Sequence, residues 1–216
     1  MVTVPRTLTA GELWADKTVH VVGLTGGVVA GIVLLAVALR AGRAEFATAT
    51  AYAVCLITML SFSAAYNLAT GSPRREMLCR FDHAGIFAMI AGTYTPFTVL
   101  GLHGAWAIGM TALVWAIALL GIVLKLSVPT KRFHGFSTGL YLAFGWLGLV
   151  AFGPLAASVG TPLLILIGIG GLVYSVGTIF HLIQKMPYQK AVWHGFVVAA
   201  AAIQYVAVLG LVAGRG

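Results

Sequence analysis

Along the chain, long apolar stretches alternate with short polar ones. Predominantly apolar windows lie at 18–39, 47–70, 82–101, 105–126, 134–155, 160–182 and 191–213. At a rise of about 1.5 Å per residue, each is long enough for a helix to cross a bilayer. They are too long and too uniformly apolar to be strands of a membrane barrel, and only closed helical hydrogen bonding would satisfy their backbone in lipid. The pattern predicts an all-α, polytopic membrane protein, a bundle of seven transmembrane helices. The connections are short and either charged or rich in Gly and Pro, so no soluble domain is inserted. The expected organisation is a cytoplasmic N-terminal segment, 1–17, followed by a single membrane domain over 18–213.

Composition agrees. With 60% hydrophobic and 8% charged residues and a mean hydropathy of +1.00, the chain lacks the polar surface that a water-soluble globule needs. Cys55 lies inside an apolar run and Cys79 beside a basic loop, which reads as packing and not as a disulfide framework. The first apolar run has no small-residue cleavage site and reads as a retained span. Basic residues set the orientation. Arg6, Lys17, Arg74, Arg75, Arg80, Lys125, Lys131, Arg132, Lys185 and Lys190 fall on one side of the seven spans, and only Arg40, Arg43 and Arg215 on the other. The N-terminus is expected in the cytoplasm and the C-terminus outside, in the inner (plasma) membrane. The same distribution explains the net charge of +8 by contact with anionic headgroups, so membrane lipids are the expected partners and nucleic acid is not. No motif points to a protein partner.

The few polar residues in the spans carry the chemical information. Gly23, Gly27 and Gly31 recur every fourth residue and give the first span a flat packing face. Pro96 follows Thr93 and Thr95 inside the third span, where it must free a carbonyl and bend the helix. In Ser61 to Pro96, Ser63, Asn67, Asp82 and His83 stand at the mouths of two helices. His20, His181, Lys190 and His194 fall at the same end of other spans. Ser63 with Asn67, and Lys190 with His194, are i,i+4 pairs that share a helix face. His20, Ser63, Asn67, Asp82, Lys190 and His194 are thus expected to line one polar pocket. Structural roles compete for each: Asp82 as a helix cap, Lys190 as a snorkelling side chain, Ser63 and Asn67 as interhelical hydrogen bonds, and His83, His134 and His181 as packing residues. His103 belongs to an outer loop.

With these residues in place, the chain resembles the hemolysin III branch of the progestin and adipoQ receptor (PAQR) family over nearly its whole length. The resemblance rests on Glu12, TVHVVG from Thr18 to Gly23, SAAYN from Ser63 to Asn67, RFDH from Arg80 to His83 and AGTYTP from Ala91 to Pro96. Tyr141 with Leu142, Gly145 with Trp146, GGLVYSVGTIF from Gly170 to Phe180 and WHGFV from Trp193 to Val197 add to it. It implies a zinc site near the cytoplasmic face, with one histidine four residues after the serine, a pair spaced HxxxH at the start of the last helix, and an aspartate holding a metal-bound water. Ser63, Asp82 and His194 match that pattern; Asn67 and Lys190 stand where two of the three histidines are expected.

An amide oxygen is a poor zinc donor, and a charged ammonium has no lone pair and repels a dication. No cofactor is therefore expected, zinc being the one alternative. In place of the metal, Lys190 is expected to pair with Asp82; a rival metal set would be Asp82, His83, His181 and His194. The resulting expectation is a sensor or regulator of membrane lipid state with a degenerate metal site. The alternative is a metal-dependent lipid amide hydrolase using Asp82 as base with Ser63 in support. A cytolysin or a transporter accounts less well for spans whose outer halves are almost wholly apolar.

Overall fold

The computed structural model describes residues 8–69, 71–128, 134–183 and 185–214, without the side chains of 134–136. Arg6, Lys131, Arg132, Arg215 and the side chain of His134, all weighed above, lie outside that description. Among the described residues the chain is all helical, with seven helical stretches long and apolar enough to span a membrane.

Helix α1 runs from Ala10 to Ala41, eight residues earlier than the apolar window suggests. Its start is fixed by Thr9 and Glu12: the Glu12 amide donates to Thr9 Oγ1 at 3.3 Å, and the Thr9 amide donates to Glu12 Oε2 at 2.8 Å. This reciprocal capping satisfies two amides that a helix end otherwise leaves open. The expected segment 1–17 is therefore shortened, because Ala10 to Lys17 form the first two turns of α1. His20 sits well inside the helix and not at its mouth.

Helix α2 follows at Arg43–Leu68, and α1 lies against it and against the last helix, α8 (Gln189–Ala213), through the glycine stripe. A Cβ on Gly27 would meet Leu60 of α2 at 2.5 Å, and one on Gly23 would meet Val198 of α8 at 2.7 Å. Helix α3, Arg75–Pro96, is the most enclosed span, continuing into a π-helical turn at Phe97–Gly101. Pro96 thus loosens the helix into a wider turn, while the Thr93 and Thr95 hydroxyls donate to the Met89 and Ala91 carbonyls at 2.9 and 2.8 Å. Gly92 faces Cys55 of α2, and Phe87 packs on Gly121 of α4, which spans Gly104–Ser127.

The fifth span is interrupted. Helix α5, His134–Gly145, gives way to a 3₁₀ turn at Leu147–Ala151 and then to α6, Phe152–Ser158. The Tyr94 hydroxyl of α3 closes the break, donating to the Gly145 carbonyl and accepting from the Gly148 amide, both at 2.7 Å. Helices α7, Thr161–Leu182, and α8, Gln189–Ala213, complete the bundle. Tyr52, Leu34, Val114, Val208 and Val212 are fully buried in its interior, whereas Ile32, Leu39, Ile108, Leu172 and Ile179 are exposed around its circumference. Such a surface needs hydrocarbon around it.

Candidate functional site: a polar chamber at one end of the bundle

Glu12, Asp16 and His20 recur at four-residue intervals on α1, so they share one face, and all three are buried. The face turns toward α8. There His194 Nδ1 lies 2.6 Å from Asp16 Oδ1, and His20 Nε2 lies 3.7 Å from that same oxygen. The two imidazole rings are 4.3 Å apart between centroids, inclined at 51°. One donor atom from each of Asp16, His20 and His194 falls within 4.8 Å of the others. His20 Nε2 is buried and has no hydrogen-bond partner.

Glu12 sets the geometry between the helices. While Oε2 caps α1, Oε1 accepts the Tyr188 amide at 2.9 Å, just before α8 begins. Tyr188 is in the left-handed region, at φ 57°, the one described non-glycine residue with positive φ. A buried carboxylate holding that amide offsets the cost of a conformation most side chains avoid. It also fixes where α8 starts, and with it the positions of Lys190 and His194.

The other wall comes from α2 and α3. Lys190 Nζ donates to Asn67 Oδ1 at 3.3 Å, and Asn67 Nδ2 donates to the Ser63 carbonyl at 3.0 Å, one turn back. The Ser63 hydroxyl, His194 and Lys190 are all near enough to the Asp82 carboxylate to act on its charge. Asp16 and Asp82 both act on the charge of Lys190. All six residues expected in the pocket, His20, Ser63, Asn67, Asp82, Lys190 and His194, thus meet at one end of the bundle.

Two expectations need correction. Lys190 gives its hydrogen bond to Asn67; among the described residues it makes no close ion pair with Asp82, which acts on it from longer range. The rival metal set of Asp82, His83, His181 and His194 is not gathered either. The described donors that converge are Asp16, His20 and His194. Equal depth on different helices does not give a shared direction: His83 is the next residue after Asp82, about 100° around the helix, and His181 lies against Trp193, their ring centroids 4.9 Å apart. His103 precedes α4 at the opposite end and is exposed, as expected.

Asp16 is the residue that sequence reasoning missed. Its signal was the Thr9-x-x-Glu12 capping pattern, which starts the helix early enough to bring Glu12, Asp16 and His20 onto one buried face. The zinc arrangement implied by the family resemblance does not fit these residues. The amide oxygen of Asn67, where a histidine is expected, already accepts the Lys190 ammonium, and that ammonium occupies the second missing ligand's place.

A family model described as "Haemolysin-III related" matches residues 14–205. The chain is 35% identical over 202 residues to the "Hemolysin-3 homolog" of Bacillus subtilis (strain 168), covering 93% of this chain and 94% of that protein. It is 34% identical over 196 residues to "Hemolysin-3" of Bacillus cereus, covering 90% and 89%. A more distant similarity, 27% over 128 residues, covers 59% of the chain and 52% of the human "Monocyte to macrophage differentiation factor".

Proposed function

Because the chain belongs to the haemolysin-III related family, we propose that this multi-pass membrane protein senses or regulates the lipid state of the bilayer, acting through the polar chamber without family-pattern zinc chemistry. The observation that carries this reading is the Lys190 to Asn67 hydrogen bond. It joins the two substituted positions to each other, so a hydrogen-bonded polar pair stands in place of two metal ligands. The excess of basic residues in the loops on the chamber's side supports an inner-membrane location with the N-terminus and the chamber facing the cytoplasm. A chamber formed by α1, α2, α3 and α8 at a headgroup level responds to any change of bilayer thickness or order that tilts those helices.

The test is membrane order, read from a polarity-sensitive dye, in cells lacking the protein and challenged with a saturated fatty acid. Wild-type protein should restore the ordering response, and Lys190→Met should not. Full rescue by Lys190→Met would remove the chamber from the explanation.

A metal-dependent lipid amide hydrolase is the second reading, favoured by the grouping of Asp16, His20 and His194 and by the Ser63 to Asp82 contact. Release of fatty acid from an N-acyl lipid by the purified protein, abolished in Asp82→Asn, would replace the first reading with this one. The lytic activity implied by the relatives' names would require dye leakage from protein-free liposomes on addition of the protein. The apolar outer halves of the spans argue against such a pore.

A further inference from the structure

Where α1 crosses α8, two imidazoles and one carboxylate come together, and of these only His194 belongs to the family arrangement. We infer that Asp16, His20 and His194 bind a divalent transition-metal ion of the zinc class, in a site shifted from the α2 side of the chamber to the α1 side. The donor set is chemically apt: two neutral imidazoles and a carboxylate suit zinc, cobalt or iron(II), and not calcium or magnesium, which want oxygen donors throughout.

The spacing is apt as well. Ligands about 2.0–2.1 Å from a tetrahedral ion lie about 3.3 Å from one another. The contacts to Asp16 Oδ1, at 2.6 Å from His194 and 3.7 Å from His20, bracket that value, and all three donors lie within 4.8 Å of one another. An ordinary carboxylate–imidazole pair would account for His194 alone. It leaves unexplained why His20, at 6% exposure, turns Nε2 toward the pair with no hydrogen-bond partner. A buried polar atom in that state is rare without a function.

Preorganisation and charge point the same way. Capping at Thr9 fixes the first turn of α1, and the Glu12 carboxylate holds the Tyr188 amide at the entrance to α8, so both sides of the site are held before an ion arrives. Lys190 opposes a dication, but its ammonium is directed to Asn67, and the Asp16 and Asp82 carboxylates both act on its charge. With an ion bound, the two carboxylates balance most of the added positive charge. Three protein donors also leave a coordination position for an exogenous oxygen or nitrogen ligand.

The inference stands apart from the lipid-state reading, and its test does not depend on activity. Full-length protein is purified in mild detergent without immobilised metal, stripped with chelator and titrated with cobalt(II), following visible absorption and thermal midpoint. The expected result is about one cobalt per chain, displaced by zinc, with a raised midpoint. His20→Gln should weaken binding by more than about 100-fold, since loss of a ligand exceeds the effect of losing a supporting group. Lys190→Met should tighten it, since the opposing charge is removed. No cobalt uptake by folded wild-type protein overturns the inference, as does uptake undiminished in His20→Gln. If His20→Gln does not fold, wild-type stoichiometry and the Lys190→Met comparison still decide the matter.

Discussion

Helices α3 and α7 are both 22 residues long and cross the same thickness of bilayer in opposite ways. The span containing α3 has a mean hydropathy of 1.3 and is 67% buried; that of α7 has 2.2 and is 17% buried. α3 lies between α2 and α4 and reaches α8, whereas α7 packs chiefly on α8. Asp82 of α3 is served by Ser63 of α2 and by the charges of α8. The α7 hydroxyls Ser175 and Thr178 return to the Gly171 and Tyr174 carbonyls of their own helix, at 2.8 and 3.0 Å. A helix clad in protein can carry a carboxylate because its neighbours supply partners. A helix clad in lipid must be polar only where it can satisfy itself.

The largest effect that tests this contrast comes from adding volume to each helix. A Cβ on Gly92 of α3 would sit 2.6 Å from Cys55 Cβ and 2.9 Å from its Sγ, whereas one on Gly168 of α7 meets nothing within 4 Å. Gly92→Leu should cost more than about 3 kcal/mol and deplete folded protein, because the overpacked pair of helices has no room to yield. Gly168→Leu should stay within about 0.5 kcal/mol. Thermal melts of both variants in the same detergent measure the difference. Equal losses would mean that α7 is covered by another chain and is not a lipid-facing helix.

The next effect concerns the carboxylate that α3 carries into the chamber. Lys190→Met leaves Asp82 and Asp16 without their shared cation and should cost about 3 kcal/mol. Adding Asp82→Asn should recover about 1 kcal/mol or more, a coupling that survives the absence of a direct ion pair because both groups sit in one polar network. Strict additivity in a double-mutant thermal cycle would show that α3 does not depend on α8, and the contrast with α7 would narrow.

The seven spans were legible from hydropathy alone, because hydrocarbon imposes one requirement on every span. Their ends were less so. Polar residues from Thr9 to Lys17 read as a solvated segment, although Thr9 and Glu12 start the helix there and bring Asp16 beside His194. The break after Gly145 was hidden within an apolar run. It is closed by Tyr94, more than fifty residues earlier in the chain, and one-dimensional patterning cannot register a partner so remote. Convergence of the polar residues at one end was legible from depth, but direction around each helix was not. That is why His83 and His181 were grouped with Asp82 and His194, and why Lys190 was paired with Asp82 and not with Asn67. The substitutions at Asn67 and Lys190 were legible because the surrounding motifs fix their register.

The smallest effect is also the most specific to lipid. Trp115 Nε1 donates to Thr95 Oγ1 on α3, and Trp146 Nε1 donates to Ser175 Oγ on α7, both at 3.1 Å. Each hydroxyl in turn bonds the carbonyl four residues back, Ala91 or Gly171, so Thr95→Val and Ser175→Ala delete the same two-bond motif. Thr95 is buried, whereas Ser175 is partly exposed. In water, the partly exposed indole would recover a solvent hydrogen bond and the α7 variant would be nearly neutral. In a bilayer no water is available to it, so both substitutions should cost about 0.6–1.7 kcal/mol, the range of interhelical hydrogen bonds in membranes. Measured in lipid vesicles, equal losses would place both bonds in the same apolar medium despite their different exposure. A neutral Ser175→Ala in vesicles would show that water reaches that part of α7, so this sparsely covered helix would not be surrounded by hydrocarbon along its whole length.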